Sequence, residues 1–401
     1  MARLLTDGAE MQVANPAAAV GWTSSQGTVS INTTSQASGS ACYSASCTAQ
    51  NSLTKSVAGA VSTNYFARFR INPTAYPATN PAIITQFFNG ATLVGEIRLL
   101  TSGKLSLTLN GVTIVTTAAA IPLNTWTLVE MQVSYPASGA ATLFLRVNGV
   151  DIGNGAGSAT LFVTWRVGGH CSGASLPTAG AVLLDDIALN DSTGANQNTW
   201  CGDGHVVMLL PVSDSSRVGW TNGTDGTTSL WDAVNNTPPV GLALASETAT
   251  SQIRDVAVNA TDTYVANMGA YTASLGSGGG GLVGNETIVL TQAICNGGQG
   301  ATTNETLAVQ SISNPAGTEG TGTTGTTAAG TFPTAWTSVF APINYSPSVT
   351  TSTQPTVQVR KGTASATATF YDFMGLLVEY TPAVGRPTVI PSQAALLAAY
   401  R

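Results

Sequence analysis

Alternation of apolar and polar residues with a period of two runs through most of the chain and constrains its fold more than any other feature. Between 105 and 109, for example, leucines alternate with Ser106 and Thr108, and Asn110 and Gly111 follow directly. This alternation is typical of a strand with one buried face, and an Asn-Gly pair favours the type I′ turn of a hairpin. Because a helical period is almost absent, we predict an all-β chain of antiparallel strands.

Strand-like segments of this kind recur in both halves of the sequence. In the first half they lie at 65–71, 105–109, 112–115, 125–133, 143–147, 150–152 and 181–189. In the second half they lie at 205–210, 251–258, 286–294, 305–312, 356–360 and 370–380. Strands at this spacing, with no helix between them, indicate a sandwich or a jelly roll.

A polar stretch at 190–196 separates the two halves and predicts a domain boundary. We expect a first domain over 1–195, a second β-sandwich module over 196–384 and a short C-terminal tail over 385–401. Ser392 is placed to cap a short helix in this tail. That helix either docks on a neighbouring protein or folds onto its own domain.

Charged residues are scarce, which limits the partners that the chain can take. The 14 Lys+Arg and 20 Asp+Glu make up 8% of 401 residues and give a net charge of −6, whereas soluble domains usually carry about 25% charged residues. Without clusters of Lys and Arg a protein releases few counterions from DNA or RNA, so we expect no nucleic-acid partner. A surface with few charges favours close contact with other proteins, because few ions must be desolvated.

We expect no signal in this sequence that would direct it through or into a membrane. Residues 1–8 lack a basic segment followed by a long apolar run, so we expect no secretory signal. The longest apolar runs are far shorter than the roughly 18 residues of a membrane helix, so we expect no membrane partner.

The cysteines do not form a pattern typical of a metal site. They lie at 42, 47, 171, 201 and 295, and none belongs to a Cys-x-x-Cys pair of the kind that binds zinc. Cys42 and Cys47 either close a small loop through a disulfide or are buried thiols of a chain made in a reducing cytosol.

Three fragments between residues 20 and 192 resemble the laminin-G/concanavalin-A-like jelly-roll superfamily. They are Leu123–Glu130, Leu143–Gly149 and Leu183–Asn190, in the order in which that superfamily has its "W-x-x-V", "L-x-V-x-G" and "D-[DE]-[IV]" strands. The resemblance implies that the first domain is a concanavalin-A-like jelly-roll sandwich.

The whole chain also resembles structural proteins of tailed bacteriophages, in which such a jelly roll precedes a second β-module. The segments that carry this resemblance are 207–211, 219–221, 229–239 and 375–380. It implies a virion component that is made in the host cytoplasm and acts as a minor tail protein or head decoration. Such a component works through contacts with other capsid or tail subunits and is present in many copies or as a homo-oligomer. The alternative is a host-recognition adhesin that binds cell-surface glycans through the jelly roll.

Paired carboxylates of a glycosidase are missing from the sequence. The glutamates are Glu10, Glu96, Glu130, Glu247, Glu286, Glu305, Glu319 and Glu379, and apart from Glu10, which follows Asp7 by three positions, none has another carboxylate within four positions. Some members of the resembled superfamily hydrolyse glycosides with a Glu-x-Asp-x-x-Glu strand, which places two carboxyls on one face. Because that strand is absent, we expect no catalytic activity.

Asp185 and Asp186 are the candidate metal ligands. Members of the resembled superfamily often hold Ca²⁺ near the rim of the sandwich, and Asp151, Asp191 and backbone carbonyls would complete a shell of six to eight oxygens. The alternative is structural, with one aspartate facing solvent and the other capping a turn. We expect no cofactor other than calcium.

Candidate glycan-binding residues are aromatic or basic and lie near predicted loops. Sugars stack on exposed aromatic rings framed by polar side chains. Trp165 precedes Arg166, and Tyr76 and Tyr135 fall in predicted loops. We therefore assign these four residues to a candidate glycan site.

Overall fold

A computed structural model describes most of the chain, and the structural statements below concern the residues it describes. These are 3–14, 21–46, 50–57, 63–135, 141–157, 162–170, 180–222, 229–235, 252–255, 262–269, 287–299, 307–312, 324–326, 337–341, 343, 355–361 and 369–382. Cys47 and the predicted C-terminal helix lie outside the described residues. The chain forms two compact units that divide between Val206 and Val207, whereas the sequence places the boundary at 195.

Antiparallel strands make up the first unit. In chain order they are β1 (Arg3–Asp7), β2 (Ser24–Gln26), β3 (Val29–Asn32), β4 (Cys42–Ser46), β5 (Gln50–Ser56), β6 (Asn64–Pro73), β7 (Ala82–Asn89), β8 (Thr92–Leu99), β9 (Leu105–Leu109), β10 (Val112–Thr116), β11 (Thr127–Ser134), β12 (Ala141–Val147), β13 (Val150–Gly157), β14 (Thr164–His170) and β15 (Ala181–Asp191). The predicted strands of this half are confirmed, each within a few residues of its expected bounds.

The first unit contains two sheets. Sheet A has the order β13-β12-β11-β6-β15-β4-β3, with β1 paired to β15. Sheet B has the order β10-β9-β8-β7-β14-β5-β2. Asn110 and Gly111 have φ values of 49° and 80°, as the predicted type I′ turn between β9 and β10 requires.

The core of the first unit lies between these sheets. Phe162 joins them, because its ring centre lies 4.5 Å from that of Tyr65 in sheet A and 4.6 Å from that of Phe87 in sheet B. At Gly95 the sheets approach so closely that a side chain there would collide with Leu143 of sheet A. The first unit is therefore a tightly packed β-sandwich, as predicted.

The second unit is also built from antiparallel strands. They are β16 (His205–Leu209), whose first two residues still belong to the first unit, β17 (Pro211–Arg217), β18 (Thr221–Asn222), β19 (Ile253–Asp255), β20 (Thr263–Met268), β21 (Thr287–Gln299), β22 (Leu307–Ile312), β23 (Thr324–Thr326), β24 (Thr337–Phe340), β25 (Thr356–Lys361) and β26 (Thr369–Thr381), with a short 3-10 helix at Trp231–Ala233. One sheet has the order β18-β19-β26-β21-β24 with β16 on β26, and the other has β17-β20-β25-β22-β23.

Both sheets of the second unit contribute to one hydrophobic core. Trp220, Tyr264 and Tyr371 are buried in it, together with aliphatic residues such as Val357 and Leu376. The chain is therefore all-β in both units, as predicted. In the described part of the chain, no helix is long and apolar enough to cross a membrane.

Candidate functional site

The face of sheet B that points away from the sandwich core carries a row of polar side chains. In register order it comprises Ser24, Thr54, Arg166, Gln86, Glu96, Thr108 and Thr113. Each residue lies directly opposite the next one on the neighbouring strand, so the set crosses the sheet from β2 to β10 at one level. We term this set the polar row.

Strand alternation directs the polar row away from the core. Phe87 and Ile97 adjoin Gln86 and Glu96 in sequence, and both are completely buried. Because successive side chains of a strand point to opposite faces, the polar neighbours of these core residues point outward. Gln86 and Glu96 are nevertheless only 7% and 1% exposed, so this face holds polar groups in a partly dehydrated setting.

Glu96 is the centre of a hydrogen-bond network on this face. Its Oε2 accepts a bond of 3.0 Å from the Gln86 amide, and its Oε1 accepts one of 3.3 Å from the Thr108 hydroxyl. Arg98, two residues along β8, contacts Oε1 through Nε at 2.5 Å and also through Nη2. The carboxylate is thus paired and hydrogen-bonded within the sheet face.

Arg166 occupies the middle of the polar row. Its guanidinium carbon lies 4.5 Å from the centre of the Phe88 ring, a cation–π contact that orients the planar head group. Thr54 and Gln86 stand opposite it on the two neighbouring strands. A basic group on an aromatic ring, flanked by two polar side chains, can bind the oxygen atoms of a ligand.

Three buried polar atoms of this face have no hydrogen-bond partner in the described part of the chain. They are the hydroxyls of Ser52 and Ser106 and the Nε of Arg166. Ser52 and Ser106 lie two residues before Thr54 and Thr108, so they share the face of the polar row. Buried polar groups in native proteins nearly always have partners, so these three groups are unsatisfied hydrogen-bonding groups of this face.

The structure separates Arg166 from the other candidate glycan residues. Trp165 is completely buried and lies on the core face, so its ring has no surface open to a sugar. The Tyr76 hydroxyl donates a 2.6 Å bond to the Ile121 carbonyl. Tyr135 is 6% exposed, and its hydroxyl accepts a 3.1 Å bond from the Phe162 amide. Of these four candidates, only Arg166 belongs to the polar row.

Asp185 and Asp186 lie on a bulge of β15 and are both completely buried. Asp185 accepts hydrogen bonds from the backbone amides of Ala37 and Ser38, at 2.8 and 3.2 Å, and from that of Asp186 at 2.7 Å. The structural alternative from the sequence, in which one aspartate faces solvent, is therefore wrong.

Asp186 is paired with basic groups. Its Oδ2 lies 3.0 Å from Arg70 Nε and 3.1 Å from His205 Nδ1, and its Oδ1 accepts a 2.5 Å bond from the Ser38 hydroxyl. Burial alone would raise the pKa of Asp186, but His205 and Arg70 hold it at about 2.

Protein donors therefore surround the predicted calcium ligands. Among the described residues, no group of three or more His, Cys, Asp or Glu side chains is arranged to hold a metal ion. Calcium binding at Asp185 and Asp186 stays a prediction from the sequence.

Sequence reasoning missed most of the polar row. Its members belong to β2, β5, β7, β8, β9, β10 and β14, and of these strands only β9 and β10 were among the predicted segments. The available local signal was alternation, since Gln86 precedes the apolar Phe87, and Glu96 and Arg98 flank the apolar Ile97. That signal gives the side on which each residue lies, but it does not give the order of the strands.

Comparisons with known proteins give a structural likeness alone. No family model matches the chain, and no curated protein matches it. An endo-β-1,4-glucuronan lyase from Trichoderma reesei is 16% identical with a TM-score of 0.36, over 42% of this chain and 91% of the lyase.

Two further solved structures have similar values. An alginate lyase from Corynebacterium sp. is 19% identical, with a TM-score of 0.28, over 35% of this chain and 67% of the lyase. A carbohydrate esterase from the Shiga toxin-encoding bacteriophage phi24B is 14% identical, with a TM-score of 0.34, over 47% of this chain and 97% of the esterase. The matched structures thus include β-sandwich proteins that process carbohydrates.

These matches correct one expectation from the sequence. The chain was expected to lack catalytic activity because it has no Glu-x-Asp-x-x-Glu strand. Two lyases and an esterase are among the matched structures, so that expectation does not stand. The missing strand excludes one glycosidase motif and leaves other carbohydrate chemistry open.

Proposed function

We propose that the chain binds a glycan on the outer face of sheet B and thereby contributes to host recognition in a tailed-phage virion. The observation that carries this proposal is the polar row together with three unpartnered buried atoms on the same face, at Ser52, Ser106 and Arg166. Sugars offer many hydroxyls that both donate and accept hydrogen bonds, so a chain of sugars lying along the row would satisfy these groups.

The shape of the row favours an extended ligand over a small one. Its members come from successive strands, which lie about 4.8 Å apart in a sheet. Partners at regular intervals suit a polymer whose hydroxyls also recur at regular intervals. Phe88, which lies opposite Thr164 on β14, adds an aromatic ring beside Arg166.

The virion setting rests on the sequence resemblance to tailed-phage structural proteins. In that setting the chain is made in the host cytoplasm and then joins other capsid or tail subunits. An antibody against the chain should label purified particles of the phage that encodes it. Particles without the chain would remove the host-recognition role but leave glycan binding in place.

The second candidate function is that of a structural subunit that acts through protein contacts, as a minor tail protein or head decoration. Val112 and Val150 are 67% and 62% exposed at the tips of two hairpins, and they lie on β10 and β13, which end sheets B and A. End strands carry unpaired backbone groups that can pair with a second chain.

Binding of the purified full chain to immobilised bacterial surface polysaccharides tests the glycan proposal. The double variant Gln86→Ala/Thr108→Ala should lose binding, because it removes two members of the polar row. Val112→Thr, at an exposed hairpin tip, is the control and should bind as the unmodified chain does. Binding of the double variant as tight as that of the unmodified chain would overturn the proposal. A separate analysis of the bound polymer for cleavage products tests for enzymatic activity.

A further inference from the structure

We propose that Arg166 forms an anion subsite within the polar row, so that the bound glycan carries carboxylate or phosphate groups. This inference rests on the proposed glycan-binding function and specifies the class of glycan. It follows from a difference between Arg166 and Arg98, the two arginines of this sheet face.

The charge of Arg98 is already neutralised. Its guanidinium contacts Glu96 through two nitrogen atoms, and Glu96 also accepts hydrogen bonds from Gln86 and Thr108. The carboxylate is 1% exposed, so water screens this ion pair weakly. Arg98 and Glu96 together contribute no net charge to the face.

Arg166 has no counter-ion. No hydrogen bond or ion pair joins its side chain to any described residue, and its Nε is buried without a partner. Removing a charged group from water without pairing it is costly, and that cost is recovered when a ligand supplies the missing acceptor.

The chemistry of the guanidinium group identifies the ligand. Its planar fork of N–H donors fits the two oxygens of a carboxylate or phosphate, and charge-assisted bonds of this kind are about twice as strong as neutral ones. Phe88 holds one side of the plane, which leaves the edges of the fork for an anion. Thr54 and Gln86, opposite Arg166, are placed to contact the neighbouring sugar hydroxyls.

The overall negative charge of the chain means that attraction of an acidic glycan must come from a local group. With a net charge of −6, the protein repels polyanions at long range. Any preference for an acidic glycan must therefore come from a local basic group without a neutralising partner. Arg166 is such a group in the middle of the proposed binding face.

A panel of three polymers tests the inference with the full chain: a polyuronate, a polyol phosphate and a neutral glucan. Tighter binding of one acidic polymer is expected, and which of the two is preferred distinguishes a carboxylate from a phosphate. Arg166→Gln should weaken binding of that polymer by about tenfold to a hundredfold. Arg166→Lys should retain part of it, because it keeps the charge without the planar fork.

Arg146 provides a matched control. Its guanidinium carbon lies 3.9 Å from the centre of the Trp200 ring, so it is also an arginine held on an aromatic ring, but it lies on sheet A and pairs with Asp151. Arg146→Gln removes the same charge and should leave acidic-glycan binding unchanged.

The outcomes separate the two proposals. If the neutral glucan binds as tightly as both acidic polymers, or if Arg166→Gln keeps the acidic preference, the anion subsite is overturned while the glycan-binding function stands. If neither these polymers nor bacterial surface polysaccharides bind to the chain, both proposals fail. An equal loss of binding in Arg146→Gln would show a general charge effect and would also overturn the subsite.

Discussion

The indole Nε1 of Trp165 donates a hydrogen bond of 2.7 Å to the hydroxyl of Thr85 on the neighbouring strand of sheet B. The indole ring also lies 5.8 Å from Trp22 and stacks on Phe87 at 6.4 Å between ring centres. Trp165 therefore fixes β14 against the core from one side, while the next residue, Arg166, faces the other side. The position of the proposed anion subsite depends on this core anchor.

Trp165→Ala is expected to destabilise the first unit by about 3–5 kcal/mol, because it removes a completely buried ring and leaves a cavity. Denaturant unfolding followed through the transition of that unit measures the loss. Val112→Ala, at a side chain that is 67% exposed, is the control and should change stability by less than about 0.5 kcal/mol. Similar losses in both variants would contradict the anchoring role.

The alternation in the sequence was sufficient to predict the all-β fold and 13 of the 26 described strands, because a strand with one buried face can be recognised locally where its alternation is regular. The β9–β10 hairpin is an example, since alternating leucines and an Asn-Gly turn specify both strands and their connection. The same alternation shows that Trp165 and Arg166 face opposite sides. It does not show which side is the core, so it could not show that the Trp165 side chain is completely buried.

The polar row could not be predicted, because its register depends on pairing between strands that are distant in sequence. Thr54, Gln86 and Arg166 become neighbours only because β14 lies between β5 and β7. The hydrogen-bond and ion-pair partners of Asp185 and Asp186 could not be predicted for the same reason. Their partners come from other parts of the chain, and the bulge that buries both has no local signature.

Asp186→Asn is expected to cost about 3–5 kcal/mol of stability, because it leaves Arg70 and His205 buried beside a neutral group. Asp151→Asn is the control, since the Asp151 side chain is 74% exposed in its pair with Arg146; that loss should be at most about 1 kcal/mol. Urea unfolding of both variants makes the comparison, and equal losses would show that the buried pair contributes no more than an exposed one.

The Asp186 carboxylate also predicts that the stability of the folded chain falls at acidic pH. His205 and Arg70 hold the pKa of Asp186 at about 2 against the burial that would raise it, whereas its ordinary value is 3.8. A carboxyl whose pKa is lower in the folded state stabilises that state above pH 3.8 and loses this contribution as the pH falls toward 2. Asp186→Asn should therefore lose less stability than the unmodified chain between pH 4 and pH 2, and parallel losses would contradict this assignment.

Glu10 predicts the opposite dependence on pH. Burial raises the pKa of Glu10 from 4.5 to about 8, against the lowering effect of its hydrogen bonds from Ser40. The folded state then holds a proton that the unfolded state has released, so the contribution of Glu10 to stability falls as the pH rises from 4.5 to 8. Each tenfold difference in proton affinity corresponds to about 1.4 kcal/mol.

Glu10→Gln, which cannot ionise, should reduce this loss of stability. The effect should be clearest between pH 6 and pH 8, because burial raises the pKa of Asp7 to about 6 and that group also contributes below this range. Urea unfolding at several pH values gives the slope for each chain. An unchanged slope between pH 6 and pH 8 would show that Glu10 does not retain its proton there.

Cys42 is expected to resist alkylation in the folded chain. The Cys42 thiol is free and completely buried, and its sulfur lies 2.9 Å from the Ser35 carbonyl oxygen. Burial, together with the charge of Asp185, raises the pKa of this thiol well above its ordinary value. Because the thiolate is the reactive form, iodoacetamide should modify Cys42 only after unfolding, whereas the partly exposed Cys201 is the accessible control. Peptide mapping by mass spectrometry without reductant measures both residues at once. Native labelling of Cys42 at the rate of Cys201, or a peptide that links Cys42 to Cys47, would contradict the buried free thiol.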